Sequence, residues 1–170
     1  TGQADTRRCG KPLERNMRLL ASIGFAFLLS FLAAYVAFAA VGDYQSSWDT
    51  AGSGNGNPQG IAWDGTYFWV TDISDDEVYK YNASGVYQSV SWDTAGSGAG
   101  SPQGITWDGT NFWILDQGDD LVYKYNASGV YQSVSWSTVG SGAADGVGIT
   151  WDGTYFWVMD QADDLAYKYN

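Results

Sequence analysis

The chain has 170 residues, a formal charge of −11, 16% aromatic residues and no histidine. Five basic residues (Arg7, Arg8, Lys11, Arg15, Arg18) precede an uncharged stretch over 19–42, and residues 40–170 hold three lysines against 17 acidic residues, a balance of −14. So acidic a surface repels phosphate backbones and excludes nucleic acid as a partner; with Cys9 the only cysteine, residues 40–170 also lack a disulfide and any zinc or copper site of the usual N/S type.

Residues 1–16 read as a basic upstream or cytoplasmic segment. Met17-Arg18, the apolar run over 19–38 and the small-x-small triplet Ala37-Phe38-Ala39 have the layout of a signal peptide over 17–39, with Ala40 as the mature N-terminus. The rival reading is an uncleaved membrane anchor, since more than 20 apolar residues span a hydrocarbon core of about 30 Å. The Ala-x-Ala site favours cleavage. Either way residues 40–170 are expected outside the cytoplasm, and a membrane is a partner only if the segment is retained. Export without disulfides suits a bacterial or archaeal surface.

Residues 40–170 are repetitive. Trp48, Trp92 and Trp136 are 44 residues apart, as are Trp63, Trp107 and Trp151, and Trp69, Trp113 and Trp157; residues 49–92 and 93–136 agree at 35 of 44 positions. The repeats are 49–92, 93–136 and 137–170. In the first, Gly60-Ile61-Ala62-Trp63 is a strand, Asp64-Gly65 a hairpin signal, and 67–71 a second strand, apolar on both faces. The polar turn 72–76 leads to a third strand at 78–81, and 82–85 turns into a fourth at 86–92. A Gly/Ser loop then leads to Pro102 and the next copy. Four short antiparallel strands per 44 residues predict an all-β chain of β-propeller blades. Residues 43–48 repeat the end of the fourth strand and are expected as a first strand. Three blades do not close a ring. Two readings follow: a longer protein with more blades, or two chains completing six blades by lending each other this first strand. The first is favoured, because bare sheet edges are hazards.

Pro58-Gln59-Gly60-Ile61-Ala62-Trp63-Asp64, Trp69-Val70-Thr71-Asp72, Asp76-Glu77-Val78-Tyr79-Lys80-Tyr81-Asn82 and Gly85 resemble the NHL repeat, in all three copies. Asp76 stands where that family usually has Asn, and Gly146-Val147-Gly148 replaces Pro-Gln-Gly in the third copy. The resemblance implies a six-bladed NHL/TolB-like propeller. Propeller lyases and lactonases similar to this group use His or mixed carboxylate metal sites, and this chain has no His.

The candidate site residues are few in kind. Asp72, Asp75 and Asp76, recurring as Asp116, Asp119, Asp120 and as Asp160, Asp163, Asp164, are candidate Ca²⁺ ligands, since clustered carboxylates suit a hard cation taking six to eight oxygens. Turn formation and solvation are the plainer role for them. Trp48, Trp92 and Trp136 close the fourth strand beside a flexible loop and are candidate exposed aromatics for stacking a ligand. Trp63 and Trp69 are expected in the core, and Asp64, Asp108 and Asp152 as turn residues. Identical carboxylates in identical copies do not offer the unlike environments of acid–base chemistry. The functional expectation is therefore a secreted or surface-exposed module binding a protein or glycan at its rim, and not an enzyme. The alternatives are a structural surface-layer or filament component built by strand exchange, and a Ca²⁺-dependent hydrolase or lactonase.

Overall fold

The computed structural model describes residues 41–170; the expected signal peptide or anchor at 17–39 and the basic segment 1–16 lie outside them. Two compact units divide at residue 45, and everything below concerns Ser46–Asn170. No helix among the described residues is long and apolar enough to cross a membrane.

The chain is all-β. Blade one comprises β1 (Pro58–Trp63), β2 (Tyr67–Asp72), β3 (Glu77–Asn82) and β4 (Tyr87–Asp93). Blade two comprises β5 (Pro102–Trp107), β6 (Asn111–Asp116), β7 (Leu121–Asn126) and β8 (Tyr131–Ser137); blade three comprises β9 (Gly146–Trp151), β10 (Phe156–Asp160) and β11 (Leu165–Tyr169). The first two are antiparallel four-stranded sheets in sequence order, and the third is a three-stranded sheet ordered β11-β10-β9. β5 lies beside β1 on one side and β9 on the other, so the first strand of each blade is the inner one. This is the expected propeller arrangement. Residues 43–48 form no strand. Their copies at β4 and β8 pair with the β3 and β7 that precede them, and among the described residues no strand precedes residue 43.

Each inner hairpin is closed by an aspartate. The loop is Asp64-Gly65-Thr66, with Gly65 at φ 99°, a conformation that disfavours a Cβ. Asp64 Oδ1 accepts the backbone N–H of Thr66 and of Tyr67, both at 2.7 Å, and Oδ2 accepts Trp69 Nε1–H at 2.7 Å. The same set recurs at Asp108 with Trp113 and at Asp152 with Trp157. The fixed indole faces the next blade: Trp69 packs on Phe112 at a ring separation of 4.9 Å, and Trp113 on Phe156 at 4.7 Å. Contacts of this kind add about 0.5–1.5 kcal/mol each beyond the area they bury.

The inner strands come close enough to require glycine. A Cβ on Gly60 would lie 2.8 Å from the Gln103 carbonyl oxygen and 2.9 Å from the Ile105 nitrogen; one on Gly104 would lie 3.0 Å from the Ile149 nitrogen. The core is therefore a stack of blade-to-blade contacts, centred on Trp69, Ile105, Phe112 and Ile114 between blades one and two, and on Trp113, Leu115, Phe156 and Val158 between blades two and three.

One core position differs between copies. Asn55 is fully buried, and neither its amide nitrogen nor its amide oxygen has a hydrogen-bond partner. The equivalent Ala99 and Ala143 are equally buried and carry no polar group. Burying an unsatisfied amide costs about 1–3 kcal/mol. Asn55→Ala is therefore expected to raise stability by about 1 kcal/mol, and Ala99→Asn to lower it by a similar amount, in urea unfolding.

Candidate functional site

The turns between the second and third strands and the loops between blades meet at one end of the propeller. Asp72, Asp116 and Asp160 are buried there. Asp72 Oδ1 accepts the N–H of Ser74 at 2.7 Å and of Asp75 at 3.2 Å, while Oδ2 accepts the N–H of Asn57 at 2.9 Å. Asp116 does the same with Gly118, Asp119 and Ser101, and Asp160 with Asp163 and Asp145. These carboxylates staple each turn to the loop that enters its blade.

The other acidic residues point elsewhere. Asp75 and Asp163 accept the hydroxyls of Tyr79 and Tyr167 at 3.1 and 2.9 Å, and Asp119 accepts that of Tyr123. Asp76, Asp120 and Asp164 sit at φ 56°, 59° and 58°, and the carbonyl oxygens of Asp76 and Asp120 accept the Thr94 and Thr138 backbone N–H. The nine expected calcium ligands thus divide into three structural roles. Among the described residues no three acidic side chains group as a ready metal site.

Trp48, Trp92 and Trp136 correct the expectation of exposed rings. All three are half-buried. Trp92 lies 4.7 Å from Tyr125 in the next blade, Trp136 lies 4.5 Å from Tyr169, and Trp48 lies 4.7 Å from Tyr81. A Cβ on Gly129 would fall 2.2 Å from Trp92 Cγ, so the ring lies flat on backbone that only glycine leaves open. An indole edge beside an aromatic row gains more by covering it than by facing water.

The sequence reading missed a second layer at this end, just inside the acidic staples. The backbone at residues 57, 101 and 145 is held at both groups. The N–H goes to Asp72, Asp116 or Asp160, and the carbonyl accepts the N–H of Ile73, Gln117 or Gln161. The side chains there are Asn57, Ser101 and Asp145, so three near-identical copies carry three different residues. A ladder of half-buried polar groups crosses from blade two to blade three: Gln103 Nε2 donates to Gln117 Oε1 at 2.6 Å, and Gln117 Nε2 donates to Asp145 Oδ1. In blade one, Gln59 Nε2 donates to Asn57 Oδ1 at 3.0 Å. The signal was present in the sequence as divergence between copies.

The electrostatics follow the same division. Asp76 is pushed above the usual carboxylate range, by burial first and then by the charges of Asp93, Asp75 and Asp72. Asp108 is held below it: burial opposes ionisation, but hydrogen bonds from Trp113 and from the Asn111 and Thr110 backbone outweigh it.

No family model matches the chain, and no curated protein matches it. Solved structures do. The calcium-binding protein regucalcin of Agrobacterium tumefaciens is similar at 14% identity and a TM-score of 0.52, over 67% of this chain and 45% of that one. Virginiamycin B lyase of Staphylococcus aureus matches at 15% identity and 0.49, over 66% and 40%. The PQQ-bound aldose sugar dehydrogenase of Streptomyces coelicolor matches at 14% and 0.43, over 64% and 38%. The chain thus spans less than half the length of these proteins. At these identities the likeness shows the β-propeller fold and not the NHL repeat in particular. It also corrects the reading of a binding, adhesion or structural module without enzymatic activity: solved proteins with this blade architecture include a lyase and a dehydrogenase.

Asp76 gives a pH signature with a definite sign. Its folded value is raised, so the folded state holds more protons than the unfolded chain just above the ordinary aspartate range, and its contribution to stability falls as pH rises through that window. Asp76→Asn removes the repulsion and suits the left-handed backbone. The variant is expected to melt higher at neutral pH and to lose that segment of the pH dependence, as calorimetry between pH 4 and 7 would read out.

Proposed function

We propose that these blades form part of an enzyme whose substrate sits over the inner rim, where β1, β5 and β9 begin. The observation that carries the reading is the Gln103–Gln117–Asp145 ladder, placed where the copies diverge on a gripped backbone. A rigid frame with a variable side chain is what a positioned reactive group requires. Asp145 is the unlike carboxylate of the three copies. Gln117 orients it, and the amides of Gln103 and Gln59 can donate to or accept from a small polar carbonyl or hydroxyl compound. The step this set suits is proton removal by Asp145, from the substrate or from a water attacking it. Residues 40–170 contain no His or Cys to serve as an alternative base or nucleophile.

Calcium belongs to the same reading, supported by the oxygen-only donor set and by the printed description of regucalcin as calcium-binding. We place it at the acidic turns. There the ion would draw Asp75 from Tyr79 to join Asp76, with the copies at Asp119, Asp120 and at Asp163, Asp164, and would relieve the repulsion at Asp76. The expected export of residues 40–170 is part of this proposal.

Turnover across a panel of small esters, lactones and hydroxy-carbonyl compounds tests the site. Asp145→Asn is expected to lower the rate by about 100-fold or more, and Gln117→Leu to lower it less, both with an unchanged melting temperature. Full activity in Asp145→Asn would remove the site. Calcium is tested separately: millimolar Ca²⁺ is expected to raise the melting temperature of the wild type but not of the Asp76→Asn, Asp120→Asn, Asp164→Asn triple variant. No shift in the wild type removes the ion and leaves the Asp145 reading standing.

A further inference from the structure

A buried hydroxyl stands where blades one and two meet, at the start of the amide ladder. Thr71 lies on β2 and is fully buried. Its Oγ1 accepts the Gly60 N–H at 2.8 Å. Its own proton reaches the Gln103 carbonyl oxygen of the next blade at 3.4 Å, with the Gly60 carbonyl oxygen at 3.5 Å. A hydroxyl offers one donor and two acceptor sites. This one group therefore holds both sides of a close approach, since a Cβ on Gly60 would lie 2.8 Å from the same Gln103 carbonyl oxygen.

Both inner strands are irregular at this point. The register of β1 against β2 shifts between Pro58 and Ile61, and that of β5 against β6 between Pro102 and Gly104. Gln103 is the extra residue of its bulge. A bulge re-aims a side chain and leaves the extra residue out of the regular ladder, so another bond has to set its direction. The sequence places hydroxyl and amide together. Thr71 precedes the blade that carries Gln103, whereas its copy Leu115 precedes the blade in which Val147 stands at the Gln103 position. Where the next blade has an amide the junction has a hydroxyl, and where the next blade has valine the junction is apolar.

We infer that Thr71 is a positioning residue for the Asp145 site. Its hydroxyl anchors the bulge at Gln103, so that Gln103 Nε2 meets Gln117 Oε1 at 2.6 Å and Gln117 Nε2 meets Asp145 Oδ1. The inference rests on the proposed role of Asp145 for the step being served, and on the geometry for the anchoring. The anchor lies in blade one, the two amides in blade two and the carboxylate in blade three, so the site draws on all three blades. The 3.4 Å bond from Thr71 is long. Bonds in unloaded sites commonly are, and they tighten when substrate engages the groups they hold.

The test compares the full chain with Thr71→Val, which keeps the shape and removes the hydroxyl, and with Thr71→Ser, which keeps the hydroxyl. Thr71→Leu, carrying the residue of the second copy, replaces Thr71→Val if that variant unfolds. In NMR the side-chain amide protons of Gln103 are expected to exchange with water about 5-fold to 10-fold faster in Thr71→Val, the weight of one hydrogen bond, and at the wild-type rate in Thr71→Ser. Unchanged exchange in Thr71→Val overturns the inference. With a compound that the wild type turns over, Thr71→Val is expected to lower kcat about 10-fold and to leave KM within about 2-fold, and Thr71→Ser to restore the rate. In an Asp145→Asn background Thr71→Val is expected to lower the rate no further, because residues that act through one another do not add. An equal loss in both backgrounds makes Thr71 a residue of the fold alone, and also overturns the inference. A wild type without turnover removes the role of Asp145, and the Gln103 exchange then decides the anchoring by itself.

Discussion

The structure depends on one carboxylate used three times. Asp64, Asp108 and Asp152 each bind two backbone N–H groups of the hairpin with one oxygen and a tryptophan N–H with the other. The first pair shapes the turn. The second bond fixes the direction of an indole whose apolar remainder has to meet the next blade. Asp108 shows the energetic sense of this: its hydrogen bonds hold it ionised against the cost of burial. Without that link the hairpin and the blade contact would be independent events, each carrying its own ordering entropy.

From that point the packing is nearly forced. The indole demands an aromatic partner in the following blade, which Phe112 and Phe156 supply. The inner strands must then approach closely, which Gly60 and Gly104 permit. At the outer edge Trp92 and Trp136 reach across to Tyr125 and Tyr169; Gly129 leaves room for the Trp92 ring, as Gly85 does for that of Trp48. Each blade therefore touches only its neighbours, as in other repeat proteins, and stability grows blade by blade.

Most of the fold was legible in the sequence because it rests on periodic and local signals. The 44-residue repeat, the short apolar and aromatic runs and the turn residues between them all agree on four strands per blade, and the observed strand bounds differ from the expected ones by one or two residues. Two features were not legible. The exposure of Trp92 and Trp136 depends on a neighbouring blade 44 residues away in the chain, which strand-end position does not encode. The lack of a strand at residues 43–48 is the second, since a sequence that repeats a strand end does not supply the strand to pair with, and among the described residues none precedes it. The acidic turns were legible as residues but not as roles, since one aspartate triplet serves as staple, tyrosine acceptor and left-handed turn.

The candidate site shows how repetition and chemistry are reconciled in this chain. Near-identical copies solve the packing problem once and reuse it, so a change at Asp64 or Trp69 would be paid for at every contact. Chemistry needs the opposite, a group that differs from its counterparts. The backbone at 57, 101 and 145 meets both demands, because both of its polar groups are held by the fold while its side chain lies outside the apolar contacts between blades. Divergence there costs little stability, which is why Asn57, Ser101 and Asp145 can stand at one structural position. The neighbouring change from Ile73 to Gln117 and Gln161 follows from the same freedom, and in blade two it creates the amide that reaches Asp145. Difference between copies, and not similarity, is thus the physical mark of where this propeller can act.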